Sequence, residues 1–137
     1  MNEMRVVVQS IVIHDRKALL IQRSSYARSG ENDWEIPGGG LAFGEGLLEG
    51  LRREVNEETG LSVRVDRLLY AMTTLVSPQR QVVALTYLSY ADSGAVTLSH
   101  EHTDYVWATR KQLMELLNPR MLKHFREHSV LDMLDID

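Results

Sequence analysis

The chain has 137 residues, 44% of them hydrophobic and 25% charged, which predicts a single domain over residues 1–137 with a two- or three-layer core. A formal net charge of -4 argues against a surface that tracks long nucleic acid, whereas a small phosphorylated ligand stays compatible because a cation can neutralise it locally. With no cysteine there is no disulfide, thiol nucleophile or zinc-thiolate site, no apolar run reaches membrane-span length, and the cytoplasm is the expected compartment.

Met4 to His14 is β-branched and apolar on both faces, as expected of a strand buried within a sheet. Asp15-Arg16-Lys17 reads as a turn and Ala18 to Arg23 as a second strand. Ser24 to Asp33 is a polar loop with a central glycine. Trp34 to Ile36 is a short strand stopped by Pro37, after which Gly38-Gly39-Gly40 reads as a tight turn and Leu41 to Phe43 as another short strand. A helix follows from Gly46 to Gly60, whose glycine suits the left-handed closing position. Leu61 to Val76 is a long strand, bent or bulged, with Ser77 to Arg80 as a hairpin turn and Gln81 to Ala91 pairing back. Val96 to Leu98 is a brief extended piece, Ser99 to Asp104 a polar loop, and Tyr105 to Trp107 the last strand. Thr109 caps a helix over Arg110 to Leu117. Asn118-Pro119 interrupts, and Arg120 to about Asp135 forms an amphipathic helix with Leu122, Phe125, Val130 and Leu134 as its packing residues. Helices set apart from many strands indicate an α+β sandwich.

The informative stretch is GGLAFGEGLLEGLRREVNEETGL, residues 39–61. Leu47, Leu48, Leu51 and Val55 recur at helical spacing as one apolar stripe. Glu54, Glu57 and Glu58 project from one face beside it, Glu58 nearest the buried edge, with Glu49, Arg52 and Asn56 toward solvent. Like charges at this spacing cost about 0.2–0.5 kcal/mol per exposed pair, and more once desolvated. A cation reverses that cost. Crowded oxygen ligands suit Mg²⁺ or Mn²⁺, with the Gly38 or Gly39 carbonyl able to join them. Gly50, inside the helix, costs about 1 kcal/mol relative to alanine. Close approach of metal, phosphate or another backbone segment would account for it, as would a tight helix-to-sheet contact.

The spacing Gly39, five residues, Glu45, seven residues, then Arg53-Glu54-Val55-Asn56-Glu57-Glu58-Thr59-Gly60-Leu61 resembles, at every defined position, the signature of the Nudix hydrolases, MutT-like enzymes that act on a nucleoside diphosphate linked to another moiety. Trp34-Glu35-Ile36-Pro37-Gly38-Gly39 resembles the family's lead-in. The resemblance implies an α/β/α sandwich, a mixed sheet flanked by helices. It also implies Glu54, Glu57 and Glu58 as metal ligands, with the Gly38 backbone as the further oxygen. Arg53 is expected to pair with a neighbouring carboxylate and hold it in the catalytic array, and Glu45 to anchor the loop. The family's general base is either a glutamate of this stretch, here Glu54, or an acidic residue on a separate loop, here Glu101, and the resemblance favours Glu101 as metal ligand or base.

Substrate contacts are expected from Arg23 and Arg28 on the phosphates, from Tyr26 stacking on a base, and from Gly39. Arg80 is expected to be a solvated turn residue. Pro78 lies near where ADP-ribose-hydrolysing relatives carry a proline, although a hairpin turn accounts for it. His124-Phe125-Arg126-Glu127-His128 spells a zinc-protease motif, but without a clear third ligand its histidines read better as solvent-facing. The resulting expectation is a Mg²⁺- or Mn²⁺-dependent pyrophosphohydrolase. A nucleoside triphosphate is its first substrate class and ADP-ribose or a sugar nucleotide its second. The rival is a catalytically silent nucleotide sensor of the same fold. Neither a long nucleic acid nor a membrane is an expected partner, and a homodimer is compatible.

Overall fold

A computed structural model describes residues 1–25 and 30–137. Its centre is β1 (Glu3–His14), bonded along both edges. On one side β1 runs parallel to β6 (Arg80–Ala91), from Glu3↔Arg80 to Ile13↔Tyr90. The other side is divided. There β4 (Gly38–Gly40) pairs with Val7 to Gln9, while β2 (Lys17–Arg23) pairs only with Ile13 and His14. β2 then diverges and takes β3 (Trp34–Glu35) on that edge and β7 (His102–Ala108) on the other. The chain from β3 to β4 therefore crosses the opening between two diverging strands, and the Ser10 N–H donates to the Pro37 carbonyl there at 3.0 Å. β5 (Val63–Ser77) lies antiparallel on β6, with the expected irregularities, at Val65/Arg67, Leu68/Tyr70 and Leu75/Ser77.

Side chains alternate across this sheet with a period of two. Val8, Val12, Leu19 and Ile21 pack with Leu51 and Val55 of α1 (Leu47–Thr59). Ile11, Ile13 and Leu20 face the other way, onto Leu113 of α2 (Arg110–Leu116) and Leu122 and Phe125 of α3 (Pro119–Glu127). The result is the expected α/β/α sandwich around a mixed sheet. Gly60 closes α1 at φ 74 with its N–H on the Asn56 carbonyl. Thr109 and Gln112 form a reciprocal cap on α2, and Asn118 caps α3 ahead of Pro119. Among the described residues no helix is long and apolar enough to cross a membrane.

Several local expectations are corrected. The Gly38-Gly39-Gly40 run is a strand rather than a tight turn, and none of its glycines has a positive φ. What these positions require is the absence of a side chain: a Cβ on Gly38 would strike the Val8 carbonyl and lie 2.5 Å from the Gln9 Cα. Leu41 to Phe43 is a connection, not a strand, because Leu41 turns over α1. A Cβ on Gly50 would lie 2.5 Å from Leu41 Cδ1 and 2.8 Å from Glu45 Oε1, so Gly50 makes room for this loop rather than for metal, phosphate or sheet. Leu47 and Leu48 drop out of the apolar stripe at 40% exposure, since only Leu51 and Val55 reach the buried cluster.

β7 begins at His102, inside the expected polar loop, because pairing with β2 uses backbone groups and is indifferent to side-chain polarity. Val96 to Leu98 forms no strand. It is fastened to the end of α1 instead, with the Thr97 N–H on the Thr59 carbonyl at 2.9 Å. The last helix stops at Glu127 rather than near Asp135, because Ser129 adopts φ 53 and redirects the chain into a 3-10 turn over Val130–Met133. That reversal buries Val130 and Leu134 beside Phe125. Replacing Gly38 with alanine should destabilise the fold by about 1–3 kcal/mol through overpacking against β1, read as a lower urea midpoint at unchanged slope.

Candidate active site

A cleft of about 650 Å³ opens over β4, between α1 and the loop that precedes β7. The strand supplies a floor without side chains, and α1 supplies Glu54, Glu57 and Glu58. Asp33, Glu35, Glu101 and three arginines, Arg5, Arg23 and Arg120, complete the charged lining.

Glu58 is the most enclosed of the three helix carboxylates, its side chain 10% exposed. Its Oε1 accepts the Gly38 N–H at 2.7 Å, and its Oε2 lies 3.8 Å from His102 Nδ1. His102 is buried, and its Nε2 is 2.9 Å from Glu35 Oε2, the oxygen that Arg23 reaches at 3.4 Å. Burial pushes the Glu58 carboxyl up to about 8. The Gly38 N–H opposes that rise, and the nearby Glu35, Glu54 and Glu101 carboxylates add to it.

Arg53 ties the exposed side of the helix to the loop. Its Nε donates to Glu45 Oε2 at 2.6 Å and its Nη2 to Glu45 Oε1 at 3.0 Å. Nη1 donates to Glu54 at 3.0 Å and to Glu57 at 3.2 Å, and Nη2 reaches the Gly40 carbonyl at 3.1 Å. Glu45 also accepts the Ala42 N–H at 3.0 Å. The Arg53 guanidinium, helped by Ala42, holds the Glu45 carboxyl down at about 2, and Arg53 itself is raised above its ordinary value. Glu54 sits against Gly39, where an added Cβ would strike its Oε2.

These donors fit a hard divalent cation, since carboxylate oxygens dominate the cleft. Ligand atoms of Glu35, Glu58 and His102 lie within 4.8 Å of one another. His102 Nδ1 and Ser99 Oγ are buried without a hydrogen-bond partner among the described residues. Gly38, Gly39, Glu54, Glu57, Glu58, Glu101 and Arg23, all singled out in the sequence, line this one cleft. Arg53 and Glu45 stand behind it, whereas Tyr26 and Arg28 lie outside the described residues.

Sequence reasoning did not single out Glu35, His102, Arg5 or Arg120. Glu35 and His102 were in view, within the Trp34 lead-in and beside Glu101, but only strand pairing (Ile21↔Glu35, Arg23↔His102) gives them a common position. The expected solvent-facing histidines of the terminal helix are half-buried instead. His128 stacks on Tyr70 at 4.4 Å, and its Nδ1 is committed to the His124 carbonyl at 2.9 Å, which leaves that nitrogen unavailable to zinc.

A family model described as the NUDIX domain matches residues 4–129. The chain is 36% identical over 112 residues to a MutT-like protein of Streptomyces ambofaciens, covering 80% of this chain and 67% of that protein. It is 27% identical over 122 residues to the nucleoside triphosphatase NudI of Enterobacter sp. (strain 638), covering 82% and 86%. Other curated relatives are longer, and the chain spans 30% or less of some of them. Among solved structures, the MutT protein from Methanosarcina mazei Go1 superposes with a TM-score of 0.82 at 24% identity, over 96% of each chain, which shows the shared fold.

The Glu45–Arg53 lock has a pH signature. A depressed carboxyl contributes stability that is complete above its ordinary value near 4.5 and is lost as the pH falls toward about 2. The melting-temperature gap between the wild type and Glu45→Gln should therefore be full at pH 6 and narrow steadily below pH 4.5.

Proposed function

The chain belongs to the NUDIX domain family and is a Nudix hydrolase, and from that premise we propose a divalent-metal-dependent pyrophosphohydrolase that acts on nucleoside triphosphates, a single catalytic domain working in the cytoplasm. Nudix hydrolases use divalent metal ions. The observation that carries this reading is the crowding of Glu54, Glu57 and Glu58 over a strand that presents only backbone to the cleft. In the proposed arrangement these three carboxylates and the Gly38 carbonyl hold Mg²⁺ or Mn²⁺. Once bound, the cation neutralises charge on the phosphate oxygens and makes a coordinated water more acidic.

The remaining work falls to the chain's own groups. Arg53 restrains Glu54 and Glu57 from the solvent side, so that their carboxylates keep one orientation without closing on each other. The Gly38 N–H fixes one oxygen of Glu58 and leaves the second on the His102 side, 3.8 Å from Nδ1. Glu101 is exposed on the opposite wall, and its carboxylate makes no hydrogen bond or ion pair among the described residues, so it takes the proton of the attacking water. Glu54, already engaged by Arg53, is less free for that role. Arg23 meets the substrate's phosphates, and the bare backbone at Gly39 lets them approach. The similarity to a nucleoside triphosphatase across most of both chains supports the substrate class.

Product release with Mg²⁺ across nucleoside triphosphates, ADP-ribose, sugar nucleotides and dinucleoside polyphosphates tests this directly. Turnover should be fastest on a triphosphate, and Glu57→Gln should lower kcat/KM at least about 100-fold, near 2.7 kcal/mol of transition-state stabilisation. Turnover of none of them would favour a nucleotide sensor, and preference for ADP-ribose or a sugar nucleotide would replace the substrate class.

A further inference from the structure

Arg5 has no part in that chemistry, yet it occupies a prepared seat in the cleft. It lies near the start of β1, beyond the point where Val7 pairs with Gly40. Its guanidinium rests across Gly40: a Cβ there would be 2.7 Å from Nη2, 2.9 Å from Nε and 3.2 Å from Cζ. Any side chain at position 40 would push the guanidinium off the cleft floor. The same peptide is held by Arg53, which donates to the Gly40 carbonyl at 3.1 Å. Arg53 is engaged by carboxylates and Arg23 reaches Glu35, whereas the Arg5 guanidinium makes no hydrogen bond or ion pair among the described residues, although Glu54 and Glu57 line the same cleft.

The cleft also has a direction. Along the chain, Glu35 meets Arg23, Gly38 meets Glu58, Gly39 meets Glu54, and Gly40 meets Arg5. At about 3.3 Å per extended residue this row, bent at Pro37 between β3 and β4, is at most roughly 16 Å long, with the helix carboxylates between its two cationic ends. A nucleotide whose anhydride lies over those carboxylates must send its nucleoside one way and its phosphate tail the other. The Arg5 end offers a planar, fully charged fork on bare backbone, which matches the oxygens of a phosphate and gives a base or sugar little to grip.

We propose that Arg5, seated on Gly40, binds the terminal phosphate of the substrate, and hence the pyrophosphate product. This rests on the pyrophosphohydrolase reading and deepens it by making the group beyond the scissile anhydride a phosphate rather than a sugar. Addition of water across the α–β anhydride of a nucleoside triphosphate yields the monophosphate and pyrophosphate, and the pyrophosphate leaves carrying the phosphate that Arg5 holds.

The test is calorimetric titration of the full chain with inorganic pyrophosphate in the presence of Mg²⁺, comparing wild type, Arg5→Ala, Gly40→Ala and the double variant. Arg5→Ala should weaken pyrophosphate binding about 10-fold, while Mn²⁺ affinity without an anion, read by electron paramagnetic resonance, shifts less than twofold. Gly40→Ala should reproduce the loss by displacing the guanidinium, and the double variant should be no worse than Arg5→Ala alone. Should Gly40→Ala fail to fold, Arg5→Ala decides by itself. Pyrophosphate affinity within threefold of wild type in Arg5→Ala, or an equal loss of Mn²⁺ affinity, overturns the assignment. If the wild type hydrolyses no triphosphate, the substrate reading fails separately, and the pyrophosphate titration still decides whether Arg5 is an anion seat.

Discussion

The molecule depends on how closely α1 can approach the strand beside it. Gly38, Gly39 and Gly40 carry no Cβ, and the space thus left is taken by the β1 backbone, the Glu54 carboxylate and the Arg5 guanidinium in turn. One short strand therefore sets three distances at once: strand to strand, helix to strand and cation to strand. At Gly38 even the smallest side chain would meet the β1 backbone, which cannot move aside locally, whereas at Gly39 and Gly40 it would displace the end of the Glu54 or Arg5 side chain. The divergence of β1 and β2 belongs to the same arrangement, because the chain that bridges them delivers Glu35 and Gly38 to adjacent positions in the cleft.

Two carboxyls of the same loop-helix unit are driven in opposite directions by their surroundings. Glu45, gripped by Arg53 and a backbone N–H, is kept down near 2 and stays charged as a structural tie. Glu58, enclosed and facing other acids, is pushed up to about 8. The difference is environmental, since both begin as ordinary glutamates. Arg53 separates the two regimes: it satisfies the outer carboxylates and leaves the inner one to the Gly38 N–H and the His102 side. The acidic excess is thereby concentrated where a phosphate-bound cation would be most useful.

Much of the architecture could be read from local patterns. The apolar run over β1, the closing glycine at position 60, the cap at Thr109 and the hairpin at Pro78 all rest on short-range chemistry, and each element formed close to where it was expected. Misreadings occurred where a local preference met a tertiary demand. Three consecutive glycines favour a turn, but a narrow gap beside β1 used them as a strand. A polar stretch around His102 favours a loop, but the open edge of β2 extended it into β7. An amphipathic pattern favours one long terminal helix, but Ser129 reversed the chain so that Val130 and Leu134 could cover Phe125.

The sequence by itself determined the helix with its three clustered glutamates, the arginine and loop glutamate that brace them, and the family to which that spacing belongs, because all of these are fixed by intervals along one short segment. Only the tertiary structure decided that Glu35 and His102 stand beside Glu58, and that Arg5 lies over Gly40. Those neighbours come from strands far apart in the chain, and their meeting is set by register and by the splaying of two strands. No periodicity within a single segment encodes either.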